Sequence, residues 1–253
     1  MMLFEPSALR SLTLRNRIAV SPMTQYSGED GCAVPWHAMH VGSMAVSGAG
    51  LVIMEATAVE AMGRTTAGCL GLYSDANEAA MTRLVSGIRS YSPTPLGIQL
   101  VHAGRRGSVR KPWDADTVKL PLDEGGWSLC GPTAEPYRGD VHRPAPLDGA
   151  GIARVLAAFA AAARADRSGF DLLELHGAHG YLMHAFTSPI SNTRTDGYGG
   201  SQARPGACAS RSRWRRSSER RGPPASRSAS ACPAATSSRA GLRWRTQWRS
   251  ARS

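Results

Sequence analysis

The sequence has little of what marks an exported or membrane protein. No uninterrupted apolar run reaches the about 18 residues that a membrane-spanning helix needs. The N-terminus, MMLFEPSALRSLTLRNR, lacks the ordered charged, apolar and small-residue segments of an export signal, so the expected location is cytoplasmic. Cysteine is scarce: Cys32, Cys69, Cys130, Cys208 and Cys232 are odd in number and widely spaced, with no CxxC pair and no His-flanked cluster. That spacing argues against a disulfide framework or a zinc site and predicts free thiols, buried or half-buried. With 42% hydrophobic and 19% charged residues, 27 Gly and 16 Pro, the composition excludes a collagen, a coiled coil and a wholly disordered chain. A length of 253 residues accommodates one large domain or two small ones.

Charge of one sign is almost missing from one end. Residues 1–203 carry 17 Lys+Arg against 18 Asp+Glu, whereas residues 204–253 carry 13 Arg, no Lys and a single acid, Glu219. The net charge of +11 therefore belongs to the last fifth of the chain. That stretch also lacks Val, Ile, Met, Phe and Tyr, and its only aliphatic side chain larger than Ala is Leu242. Nothing in it is expected to build a buried strand or to offset the entropy of ordering it. Read literally it is a basic, disordered arm, and Arg with interleaved Trp raises a nucleic-acid contact as one alternative. A change of reading frame shortly after Ser201 fits the composition better. Joining the last base of each codon to the first two of the next turns Arg213-Trp214 into Leu, Val or Met, and Trp214-Arg215 into Ala or Glu.

The first two hundred residues alternate short apolar runs with helical patterns. Strands are expected over 17–22, 50–56, 96–101 and 170–175, and helices over 35–49, 74–90 and 148–168. Ser74 is placed to cap the second helix, with Asp75 and Glu78 in its first turn. Residues 103–147 read as a long loop rich in Gly, Pro and Trp. Strands this uniformly apolar belong to a parallel sheet covered by helices, so the fold class is α/β. The predicted division is a partial barrel of about four βα units over 1–203 and a tail over 204–253.

Five motifs carry chemistry: Ser21-Pro-Met-Thr-Gln-Tyr26, Glu55-Ala-Thr-Ala58, Gly97-Ile-Gln-Leu-Val-His-Ala-Gly-Arg105, His176-Gly-Ala-His-Gly-Tyr-Leu182 and Ser188-Pro-Ile-Ser-Asn-Thr-Arg-Thr-Asp-Gly-Tyr-Gly-Gly-Ser201. Ser21 to Thr24, Ala56, Gln99 and His176 each fall at the carboxyl end of an expected strand, the face on which parallel barrels build their sites. His176 and His179 both reach that face if Gly177 and Gly180 let the chain turn. Contact with a ligand, a structural pair and a metal site are the three readings of these histidines. The metal reading needs a third ligand, and none has suitable spacing. Arg105 and Arg106 read as part of a solvated loop, with an anion site as the alternative.

In order and spacing these motifs resemble the old yellow enzyme family of FMN-dependent NAD(P)H oxidoreductases, nearest to its bacterial ene-reductases and xenobiotic reductases, over residues 2–201. The resemblance implies an FMN-holding (β/α)8 barrel and a nicotinamide donor, NADPH or NADH. It implies flavin contacts at Ser21, Pro22, Met23, Thr24, Ala56, Gln99 and His176. His176 and His179 would bind the carbonyl oxygen of an activated alkene, Tyr26 would hydrogen-bond the substrate, and Tyr181 would protonate the carbon opposite the hydride. The expected partner is a small electrophilic alkene or related acceptor, with no metal, no specific nucleic acid and no membrane, and intact members are often homo-oligomers. No position matches the family's later-strand arginines or its phosphate nest. A non-functional fragment of such an enzyme is therefore the alternative, with weak flavin retention and self-association expected.

Overall fold

In the computed structural model the described residues are 2–115, 118–138, 142–199 and 229–231. An antiparallel hairpin, β1 (Ser7–Leu9) and β2 (Leu12–Leu14), opens the chain. Then come β3 (Ala19–Val20), α1 (Pro35–Ala45), β4 (Leu51–Ala58), α2 (Asp75–Arg89) and β5 (Leu96–Val101). The long connection holds a short α3 (Pro112–Ala115) and a two-residue parallel pair, β6 (Cys130–Gly131) and β7 (Ala145–Pro146). It leads to α4 (Gly149–Ala158), α5 (Ala161–Arg167), β8 (Leu172–Leu175), α6 (Leu182–Thr187) and β9 (Ala229–Ala231). The main sheet is parallel throughout, in the order β3-β4-β5-β8-β9.

The four expected βα units are present, with differences that have local causes. The first strand shrinks to Ala19–Val20 because the Asn16 side chain takes the Ile18 amide and Pro22 has no amide to donate. α2 has the predicted cap: the Ser74 hydroxyl accepts from the Asn77 amide at 3.2 Å, and Arg89 sits in the last turn. The Ala-rich helix expected over 148–168 is two helices. The turn tightens at Phe159 and Ala160, where the Ala160 amide bonds back three residues to Ala157 rather than four, while Phe159 is fully buried. The connection over 103–147 is not structureless, since its small residues Cys130 and Gly131 pair with Ala145 and Pro146.

The tail needs a correction. No strand was expected in it, yet Ala229–Ala231 lies parallel to β8, opposite Leu173, Glu174 and Leu175. The open edge of β8 offers unpaired backbone groups, and small residues can join such an edge without a large apolar side chain. The expectations of disorder and of a frame change elsewhere in 204–253 lie outside the described residues. Among the described residues no helix is long and apolar enough to cross a membrane.

Two apolar clusters hold the sheet. The larger lies between its outer face and the helices, joining Val52, Met54, Ile98 and Leu100 to Val41, Met81, Leu84, Val155 and Phe159. The smaller sits inside the curve at the amino ends of the strands, where Leu14 of the hairpin meets Leu51 and Leu172, with Leu9, Leu12 and Ile53 against them. Gly97 belongs to this inner layer: a Cβ there would lie 3.1 Å from the Leu172 side chain and 3.3 Å from that of Ile53. The hairpin thus plugs the base and leaves the carboxyl ends of the strands for the site.

Candidate active site at the carboxyl ends of the strands

Strand register lines up three inward residues. Ala56 of β4 pairs with Gln99 of β5, which pairs with Glu174 of β8. The Gln99 Nε2 donates to Glu174 Oε1 at 2.5 Å, so the amide plane is held by a neighbouring strand. Gln99 is buried, and desolvation raises the Glu174 carboxyl above the ordinary range, opposed by the bond from Gln99. Small Ala56 beside that amide leaves room over the sheet. The Gln99 Oε1 remains as an acceptor beside the donor already committed to Glu174.

Two residues past Glu174 the chain builds a ring cluster. His176 is buried, and its Nδ1 accepts from the Ala178 amide at 3.2 Å. A neutral His176 must then carry its proton on Nε2, which lies 3.2 Å from His179 Nδ1. This bond fixes His179 in turn, leaving its Nε2–H as the donor for an incoming oxygen. Burial, then the neighbouring His179, lowers the His176 pKa to about 4, so it is neutral at pH 7. The Tyr181 ring stands edge-on to His176, with centroids 4.7 Å apart. His179 at φ 57 and Gly180 at φ 78 turn the backbone sharply, and Arg106 donates to the His179 carbonyl at 2.5 Å. The sequence offers two ring N–H groups, and the geometry uses one to orient the other.

The loop after β3 is tied down from behind. Its Gln25 amide donates to Glu55 Oε2 at 3.1 Å, and the Gln25 side chain donates to the Met23 carbonyl at 2.7 Å. Glu55 is the extra residue of a β-bulge, since register passes from Met54 opposite Ile98 directly to Ala56 opposite Gln99. It therefore faces outward to α1, where its Oε1 lies 3.3 Å from His37 Nε2, outside hydrogen-bond alignment, in a fully buried contact. Gly68 lets the loop pass: a Cβ there would stand 2.2 Å from the Tyr26 carbonyl oxygen.

The sequence-predicted residues are thus brought together in part. Tyr26 and Tyr181 line one hollow, and Thr24 lines an adjoining slot with Tyr26, Trp36 and Trp113. His176, His179 and Tyr181 form one ring cluster, and Ala56 and Gln99 share a register row. Ser21, Pro22 and the half-exposed Met23 follow β3 directly, and among the described residues no side-chain hydrogen bond joins them to that cluster. Glu174, and His37 behind Glu55, were not singled out in the sequence. The signal for Glu174 is its place in an apolar strand two residues before His176, where a carboxylate is exceptional. Arg106, read as solvated, instead packs against Tyr137 and Tyr181. Among the described residues no group of three or more His, Cys, Asp or Glu is arranged to hold a metal.

A parallel βα fold with its polar side chains gathered at the strand carboxyl ends defines a barrel-type enzyme scaffold. The chain belongs to the NADH:flavin oxidoreductase / NADH oxidase family, whose profile matches residues 2–205. It is 44% identical over 201 residues to an NADPH dehydrogenase of Listeria innocua, covering 78% of this chain and 54% of that protein. Morphinone reductase superposes with a TM-score of 0.72 at 28% identity, over 87% of this chain and 59% of that one. An Old Yellow Enzyme from Pichia sp. AKU4542, 23% identical with a TM-score of 0.74 over 87% of this chain and 56% of that one, shares the fold. The old yellow enzyme resemblance and the barrel expectation are borne out. The chain spans about half the length of the curated relatives it matches. The family implies FMN, and the donor set fits its ring: a held amide at Gln99, an imidazole pair, and small Ala56 between strands.

Proposed function

We propose that residues 1–203 form the ring-binding and substrate-binding part of an FMN-dependent NAD(P)H oxidoreductase that reduces activated alkenes. The observation that carries this reading is the convergence of the Ala56–Gln99–Glu174 row and the His176–His179–Tyr181 cluster on one end of a parallel sheet. Bound FMN supplies hydride transfer from the nicotinamide donor to the acceptor. Gln99 would hold its pyrimidine edge, and Ser21, Pro22, Met23, Thr24, Ala56 and His176 would contact the ring. The His179 Nε2–H, oriented by neutral His176, holds the carbonyl oxygen of the acceptor and polarises its double bond. Tyr26 adds a hydrogen bond to the substrate. Tyr181 gives its phenolic proton to the acceptor carbon opposite the incoming hydride.

The test is to add FMN to the purified chain, reduce it with NADPH under nitrogen and then supply 2-cyclohexenone. The expected result is bleaching of the flavin band, its return with the enone, and loss of the second step in Tyr181→Phe. Added FMN that keeps its free fluorescence and is not bleached by NADPH would sink the reading for this chain. That outcome would favour the alternative that this half-length chain is a non-functional portion of the enzyme, which its coverage of its relatives supports.

A further inference from the structure

The hollow that Tyr26 and Tyr181 share is lined by cations. It measures about 310 Å³, and Arg106, Arg110, Lys119 and Arg138 line it, with no acidic residue in its walls among the described residues. Arg110 pairs with Glu124, and the Lys119 ammonium donates to the Arg105 and Gly107 carbonyls, each at 2.9 Å. Arg106 and Arg138 are placed differently. They flank the same ring, with guanidinium carbons 4.4 Å and 5.2 Å from the Tyr137 centroid, and Arg106 also stands 5.2 Å from the Tyr181 centroid. Among the described residues neither forms an ion pair. A guanidinium has five N–H donors, and among the described residues Arg106 gives one of them to a carbonyl, that of His179. Arg105, outside the lining of the hollow, stands 5.7 Å from the same centroid, so three guanidinium groups gather around one ring and an anion beside them relieves their mutual repulsion.

We propose that this hollow is an anion subsite, and that the acceptor is an activated alkene bearing a carboxylate. Arg106 and Arg138 hold that carboxylate while the alkene's carbonyl oxygen meets His179. The inference rests on reading the mouth as an alkene site. Planar guanidinium groups match a carboxylate through paired N–H donors, and a half-enclosed cleft of one charge sign concentrates the opposite sign. The volume lies at the small end of ligand pockets, about 300–1,000 Å³, which suits a compact acid better than a dinucleotide. A phosphate on the nicotinamide donor shares the same chemistry, so the experiment includes it.

Binding to the full chain is followed through tryptophan fluorescence, since Trp113 lies edge-on to Tyr26 with centroids 5.8 Å apart. The ligands are an enone with a terminal carboxylate and its methyl ester. The acid is expected to bind about tenfold tighter than the ester at low salt, with the advantage shrinking as salt is added. Arg138→Gln is expected to reduce that ratio to about twofold or less, while Arg138→Lys keeps most of it by keeping the charge. Equal binding of acid and ester overturns the anion subsite and leaves the alkene site standing. Binding of neither overturns both. Competition by NADP+ but not NAD+, with acid and ester bound alike, assigns the guanidinium pair to the donor's phosphate and overturns the acceptor proposal.

Discussion

Glu174 and His176 stand two residues apart on β8 and beyond, and burial moves their titrations in opposite directions. The Glu174 carboxyl is raised by desolvation, so its contribution to stability is complete below the unfolded value and lost as pH rises through the folded one. Glu174→Gln removes that loss. Its unfolding temperature is expected to rise relative to the parent between pH 4 and pH 8, as followed by circular dichroism. A parent that instead gains on the variant as pH rises would show the carboxylate to be well compensated. His176, lowered to about 4, and His102, lowered by burial to about 3, have the reverse sign. Both are neutral in the fold while the unfolded chain takes up protons below the ordinary histidine value near 6.5, so stability falls as pH drops from there toward 4. Each is expected to cost on the order of 2 kcal/mol at pH 4.5, and His176→Asn is expected to flatten that part of the profile. Gln99, His176 and Tyr181 were legible in the sequence because chemistry-bearing side chains at strand ends stand out against apolar neighbours. The orientation of the histidine pair was not, because it depends on the Ala178 amide, which a sequence does not display.

At the scale of the element, caps and close approaches decide what can change. Ser74→Ala removes the hydroxyl that accepts from Asn77 and is expected to cost about 1 kcal/mol in urea unfolding, with the slope unchanged. Gly68→Ala should do little to the helices but must push the Tyr26 backbone away, since a methyl cannot sit 2.2 Å from a carbonyl oxygen. The expected signature is weaker ligand binding at the mouth with near-native far-ultraviolet dichroism, and unchanged binding would show that the loop is not held there. β5, α2 and the cap at Ser74 were legible because period, cap and burial agree along those stretches. The break between α4 and α5 was not, because the Ala run is helical throughout by propensity and only the packing of Phe159 interrupts it. The hairpin β1–β2 escaped because its strands are three residues each, too short for alternation to register.

At the scale of the molecule, the parallel sheet was legible from its apolar strands, whereas β9 joins through backbone geometry that composition does not encode. Ser230→Pro deletes an amide opposite Glu174 and is expected to speed hydrogen exchange along Leu172–Leu175, and unchanged protection there would argue against the fifth strand. The bulge in β4 has a wider consequence. Ile53 and Ala56 both point into the curve although three positions separate them, and Glu55 is the member added on the outside. Losing that single codon would restore ordinary alternation and keep Ala56, Thr57 and Ala58 beside the same neighbours. The wall can therefore gain or shed its external carboxylate handle, and with it the anchorage of the Gln25 segment, without rewriting its interior.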